Sequence, residues 1–268
     1  MEDQIIVNIT TWTKRDKFLR IVLEHFQKQT LKPNHIILWL SIDEYPTIPS
    51  HIKKLKSDGL INAIKTTKRN IYCHKRWCAL RSFPNAYNIM IDDDIFYPED
   101  FIQTLYSLAK KHNCVSCYWT EEVEYSGITL GKRGFTPNVP SHYNRLLSGL
   151  TCIPPNLIKQ DEFFRYNKLR DLYVEKCDDS WVKAWLLYFN IKIVGAHEWE
   201  GKVPCTVPDT QDFALWRNWN CKKASNGVQR KINNFATSID ILQNIYHKNL
   251  IDKLWPEFDI KKCSIYKK

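Results

Sequence analysis

Residues 75–98 read KRWCALRSFPNAYNIMIDDDIFYP. The apolar run 86–91 has the length and residue types of a buried strand, and it leads directly into Asp92-Asp93-Asp94. A strand in that place delivers three carboxylates to one edge of a sheet. Side-chain alternation predicts Asp92 and Asp94 on one face and Asp93 on the other. Neighbouring carboxylates repel unless a positive charge sits between them. A hard divalent cation with oxygen ligands, Mn2+ or Mg2+, answers that need, and such an ion also neutralises a departing diphosphate. The competing reading is an acidic cap or solvated turn before the helix that Pro98 introduces.

Upstream, the chain alternates short apolar runs with helical periodicity. Strands are predicted at 4–9, 35–41 and 61–67. Helices are predicted at 15–29, where Phe18, Leu19, Val22, Leu23 and Phe26 share a face, and at 49–56, closed by Asp58-Gly59. Further helices are expected at 74–82 and 98–112. This rhythm argues for an α/β domain with right-handed crossovers and a mostly parallel central sheet. Ligands of such sheets bind beyond the carboxyl ends of the strands, where the acidic triplet and the Thr10–Trp12 loop both fall.

Downstream the pattern is less regular. Strands are expected at 114–119, 147–153 and 191–194, a mobile loop at 126–141, a buried helix at 179–189 and a long terminal helix at 228–246. The division read from this is a domain at 1–225, its two halves meeting at 112–113, and a helical C-terminal appendage at 226–268.

Asp178-Asp179 opens the 179–189 helix. One carboxylate there can cap the helix, stabilising it by about 1 kcal/mol, while the other acts as a general base toward a hydroxyl. Lys68-Arg69, His74-Lys75-Arg76 and Arg81 cluster before the triplet. They read either as an exposed helix face or as cations for a diphosphate. His197 follows a predicted strand, which makes it a candidate for completing a metal shell or an ordinary structural histidine.

Composition narrows the classes. The 268 residues are 44% hydrophobic and 25% charged, with a net charge of +10 that favours an anionic partner. The acidic opening Met1-Glu2-Asp3 and the shortness of apolar runs such as Ile36 to Leu40 predict a cytoplasmic chain with neither leader nor membrane span. Nine cysteines at irregular spacing read as reduced thiols. Cys114-x-x-Cys117 lacks the second pair of a zinc site. No Gly-rich phosphate loop occurs, which disfavours ATPases and dehydrogenases.

The 75–98 stretch resembles the motif region of bacterial GT-A glycosyltransferases, of the family 2-like type that builds surface polysaccharide, capsule or lipopolysaccharide. In those enzymes a basic helix precedes a strand ending in Asp-x-Asp, then an aromatic and a proline. The resemblance spans roughly the first two hundred residues, weakly between motifs. It implies a GT-A (Rossmann-like) α/β fold, a nucleotide-diphosphate sugar donor, and a saccharide or lipid-linked acceptor. It places Asp94 on the metal and Asp92 near ribose, donor sugar and metal, with Asp93 beside them. Thr10, Thr11 and Arg15 are implied at the nucleotide and Lys75 or Arg76 at the phosphates; Asp43, after the second strand, is a candidate for base or ribose, and Arg69 belongs to the cluster read as cations for the diphosphate. In 148–155, SGLTCIPP, Gly149 resembles the glycine beside the donor sugar. Inverting members carry an acidic pair at a helix start. Here that pair is Asp178 and Asp179, with Asp179 preferred as base, although the familiar pair is Glu-Asp.

Two other classes compete. A nucleotidyltransferase acting on sugar phosphates would use carboxylates and metal as well, but it would want the missing Gly-rich loop. A basic nucleic-acid-binding protein would explain the charge and aromatics, but it leaves the triplet without a task. The glycosyltransferase reading expects no nucleic-acid partner. Trp216, Trp219, Trp255 and the basic tail are candidates for peripheral contact with an anionic membrane.

Overall fold

A computed structural model of the chain describes residues 2–125, 130–133, 135–165, 167–199 and 205–214. The expected terminal helix at 228–246, the three membrane-contact tryptophans and the basic tail lie outside these residues. No described helix is long and apolar enough to cross a membrane.

Among the described residues, seven strands form one sheet. In chain order they are β1 (Ile5–Thr10), β2 (His35–Ser41), β3 (Ala63–Thr67), β4 (Tyr87–Ile91), β5 (Val115–Thr120), β8 (Leu150–Ile153) and β9 (Ile193–Glu198). Two short strands, β6 (Glu122–Tyr125) and β7 (Leu130–Arg133), pair antiparallel apart from the main sheet, and β7 falls within the stretch expected to be a loop. The spatial order of the main sheet is β3-β2-β1-β4-β8-β5-β9. All neighbours are parallel except β8, which runs antiparallel to both β4 and β5. The order reverses between β1 and β4, so the crevice beyond their carboxyl ends is a topological switch point.

Both faces of the sheet are covered, which is why β1, β2 and β4 read as mostly apolar runs, interrupted inside by Asn8 and Asn88, which hydrogen-bond to each other. Ile5, Val7, Ile9, Ile89 and Ile91 pack toward α1 (Leu19–Phe26), α2 (Ser50–Ser57) and α4 (Phe101–His112). Ile6, Ile37, Trp39 and Met90 face the opposite way, against Trp77, Trp181 and Trp185. The last two belong to α7 (Asp178–Tyr188). Trp39, Trp77, Trp181 and Trp185 are core residues, burying large apolar areas.

Two helices differ instructively from expectation. The predicted helix at 15–29 begins as a 3-10 turn at Asp16–Phe18 and becomes α1 only at Leu19, because Arg15 is drawn toward the acidic residues after β4. The predicted helix at 74–82 is a 3-10 helix over Tyr72–Cys78 that becomes α-helical only in α3 (Ala79–Ser82). His74, Lys75, Arg76 and Trp77 are all buried in it, so that segment is shaped by inward polar contacts and exposes no basic face. Two short helices, α5 (Gln160–Arg165) and α6 (Asn167–Val174), lead into α7 and have no counterpart in the sequence reading. At the close of α2, Gly59 takes φ +75, the left-handed turn that Asp58-Gly59 predicts.

Candidate active site

The β4 ladder ends at Ile91, which pairs with Ile9 on one side and Leu150 on the other. Beyond it the chain turns, so strand alternation does not govern the three aspartates, and the expected separation of Asp93 from Asp94 does not hold. Arg15 gathers both: its guanidinium pairs with Asp93 and donates to Asp94 Oδ2 at 2.5 Å. Thr11 Oγ1 donates to Asp93 Oδ2 at 2.5 Å, and Gln211 Nε2 donates to Asp94 Oδ2 at 3.1 Å. Asp92 turns elsewhere, onto Arg76.

Arg76 is the hub. Its Nε and Nη2 donate to Asp178 Oδ2 at 3.0 and 2.8 Å, while Nη1 reaches the Ile91 carbonyl at 3.0 Å and the Asp92 carboxylate. Trp77 Nε1 adds a third donor to Asp178 Oδ2 at 2.7 Å. The turn after β4 and the start of α7, far apart in sequence, are thereby joined through one buried guanidinium. Lys75, also buried, donates to the Thr11 carbonyl at 3.0 Å and to Glu44 Oε2 at 3.2 Å. The charges of Lys75 and Arg76 are thus matched by protein partners, a correction to the exposed-face reading.

A second link runs through residues 148 and 149. The Ser148 amide donates to Asp179 Oδ1 at 2.7 Å. A Cβ built on Gly149 would stand 1.8 Å from Asp92 Oδ2, so the close approach that glycine permits here is to Asp92 itself. Tyr97 Oη donates to the Gly149 carbonyl at 2.9 Å and accepts the Asp92 amide at 2.7 Å, fixing both backbones.

The carboxylates differ in their electrostatics. Burial raises Asp93, against the opposing pull of Arg15 and Thr11. Burial also pushes Asp94 up to about 7. There Arg15 opposes the rise, while repulsion from Asp93 and Asp92 adds to it. At Asp178 burial raises the carboxyl, but Arg76, His74 and Trp77 outweigh it and hold the group below the ordinary value. Asp179 is pushed up to about 6 by burial and by the Asp178 charge, with Ser148 pulling the other way. Adjacent acids with pKa values driven apart are the pattern that separates a proton acceptor from a permanently charged partner. Neither caps α7, whose N-cap is Cys177 with no side-chain bond.

The residues suit a divalent cation chemically. Asp92, Asp93 and Asp94 are hard oxygen donors in excess over the two nearby guanidinium groups, one of which also serves Asp178. Among the described residues, Asp92 Oδ2 and Asp94 Oδ1 accept no hydrogen bond. His197 is not brought to them. It is exposed on edge strand β9, its ring 4.8 Å from that of Tyr118, and β8 and β5 stand between β9 and β4. The described residues contain no group of three His, Cys, Asp or Glu poised around one ion. Gln211 occupies the place at Asp94 expected of His197. It arrives because Val207 donates to the Asp94 carbonyl and Thr206 bridges Ile95.

Other expected residues lie at the rim or apart. Thr10 Oγ1 is tied to the Trp39 carbonyl at 2.8 Å, and exposed Asp43 accepts the Asn70 amide at 3.1 Å. Arg69 faces away, donating to Asp171 Oδ2 at 2.6 Å. Glu44, Tyr97, Ser148 and Gln211 were not singled out as site residues. Glu44 stood beside Asp43 and could have been found; nothing in the sequence marks Gln211.

The chain is similar in structure to TarS 1–349 from S. aureus, solved in complex with UDP. The TM-score is 0.50 and the identity 12%, over 98% of this chain and 88% of that one. That likeness speaks to the fold: a GT-A (Rossmann-like) α/β domain with a mostly parallel central sheet. Two further structures align with TM-score 0.46. One is the mannosyltransferase PcManGT from Pyrobaculum calidifontis in complex with GDP-Man and Mn2+, at 10% identity over 76% of this chain and 59% of that one. The other is 4-diphosphocytidyl-2C-methyl-D-erythritol synthase from Anaerococcus prevotii, at 12% identity over 79% and 96%. The fold assignment rests on the first. No protein-family model and no curated protein matches the sequence.

Proposed function

We propose that this chain is a metal-dependent, inverting glycosyltransferase, moving a sugar from a nucleotide-diphosphate donor to a hydroxyl of a saccharide or lipid-linked acceptor. The observation that carries the reading is the joining of Asp92, from the acidic triplet, to the Asp178/Asp179 pair through Arg76 and Ser148-Gly149. They meet at the switch point of a sheet whose neighbour, TarS, was solved with UDP.

Asp94 and Asp92 are the residues that would hold Mn2+ or Mg2+. When bound, the ion supplies positive charge to the diphosphate as it leaves. Asp179 takes the proton of the acceptor hydroxyl as its oxygen bonds to the anomeric carbon and the bond from that carbon to the diphosphate breaks. Asp178, kept ionised by Arg76, raises the basicity of Asp179 without competing for the proton. Thr11 and Arg15 hold the Asp93–Asp94 turn in shape beneath the donor. Transfer in a single displacement inverts the anomeric centre.

Calorimetric titration of UDP and GDP with and without Mn2+, on wild type and Asp94→Ala, tests this. Metal-dependent binding that Asp94→Ala abolishes is the expected result. Tight nucleotide binding indifferent to both metal and Asp94 would sink the metal assignment, and absence of binding to either nucleotide would sink the donor assignment.

A further inference from the structure

A cavity of about 280 Å3 opens between the loop after β3, helix α3 and the α5–α6 segment, just below the 300–1,000 Å3 or so usual for small-molecule sites. None of its lining residues belongs to the acidic centre. Four cations line it: Lys68, Arg69, Arg81 and Arg170, above a partly apolar floor that includes Ile71 and Phe164.

Charge and geometry here are one-sided. Among the described residues, Asp171 is the carboxylate paired with any of the four cations. It accepts Arg69 Nη2 at 2.6 Å and Arg170 Nε and Nη2 at 3.0 and 2.6 Å. Arg170 is buried, and its Nη1 also donates to Asn167 Oδ1 at 3.1 Å, so its guanidinium is fixed before any ligand arrives. The Arg81 guanidinium lies 4.6 Å from the ring centre of Phe164. Lys68 and Arg81 have no ion-pair partner among the described residues. Four cations against one carboxylate leave an excess of three charges converging on one small space. Arg170 is buried and the other three are exposed, and cations gathered this closely repel one another until an anion joins them. Oriented guanidinium forks match the oxygens of a phosphoryl group, and the apolar floor suits a short carbon skeleton attached to it.

We propose that this pocket binds a phosphoryl group, at a site separate from the acidic centre. The inference stands apart from glycosyl transfer, since it needs neither metal nor nucleotide.

The test is calorimetric titration of inorganic phosphate and of glycerol 3-phosphate, without metal and at low salt. The proteins are wild type, the double variant Lys68→Ala/Arg81→Ala, and Asp94→Ala. Both altered cations are exposed, so the double variant is expected to fold, with circular dichroism as the check. Wild type should bind, and the double variant should bind about tenfold or more weakly, about 1.4 kcal/mol. Asp94→Ala should bind as wild type does. Tighter binding of glycerol 3-phosphate than of phosphate would identify an organic phosphate as the ligand, and equal binding would identify the free ion. No binding by wild type, unchanged binding by the double variant, or loss of binding in Asp94→Ala would each overturn the proposal.

Discussion

The Asp92 carboxylate rests directly against the α-carbon of Gly149, leaving no room for a methyl group: an added Cβ would meet Oδ2 at 1.8 Å. Gly149 is therefore a steric condition on where Asp92 points. In Gly149→Ala, Asp92 must swing off Arg76. The expected outcome is a loss of about 1–3 kcal/mol in stability from overpacking, read by thermal unfolding. Metal-dependent nucleotide binding should weaken at least about tenfold, about 1.4 kcal/mol. Unchanged binding would mean that Asp92 takes no part in it.

Asp178 and Asp179 are adjacent, yet their amide variants should fail in different ways. Asp178→Asn leaves the buried Arg76 without a principal counter-charge, a loss of about 3–5 kcal/mol by analogy with broken buried pairs. Asp179→Asn should raise the unfolding midpoint at neutral pH, since it removes a buried like charge beside Asp178, while lowering kcat by about 10²–10⁴. Thermal melts and single-turnover rates on the two variants separate the roles. The assignment of the base fails if Asp179→Asn turns over normally.

The pH dependence follows in sign from the Asp179 shift. A base with pKa raised to about 6 is protonated and idle below that pH. kcat/KM should thus rise with pH through about 6 and level above it, and Asp179→Asn should lose this limb. The same shift affects stability in the opposite sense. Between the ordinary carboxyl value near 3.8 and about 6, native Asp179 holds a proton that the unfolded chain has released, so its contribution falls as pH rises through that window.

Arg15 offers a test of the cation site without activity. Arg15→Ala strips the buried Asp93 of its guanidinium partner and should destabilise the metal-free protein by about 3–5 kcal/mol. Mn2+ should then raise the melting temperature more in Arg15→Ala than in wild type, because the ion answers a larger charge deficit. Equal shifts would place Mn2+ binding elsewhere.

Much of the architecture was legible because it depends on local pattern. The apolar runs at 4–9, 35–41 and 86–91 correspond to β1, β2 and β4, and alternate residues of β1 do face opposite covered sides. The acidic turn after β4 and the acidic start of α7 were likewise visible as strings of like charge. The 3-10 segment at Tyr72–Cys78 was misread as a regular helix, since the pull on Lys75 and Arg76 comes from Glu44, Asp92 and Asp178, all distant in sequence.

The sequence by itself determined that a buried strand ends in carboxylates at the mouth of a parallel α/β sheet, because hydrophobic periodicity and residue chemistry are properties of neighbours along the chain. Only the tertiary structure decided which donor meets which acid: that Arg76 bridges Asp92 to Asp178, that Gln211 reaches Asp94 where His197 was expected, and that Arg69 turns away to a separate basic pocket. Those pairings arise where loops from different strands converge. Their energies depend on burial and on distances of a few ångströms, which no spacing along the chain encodes.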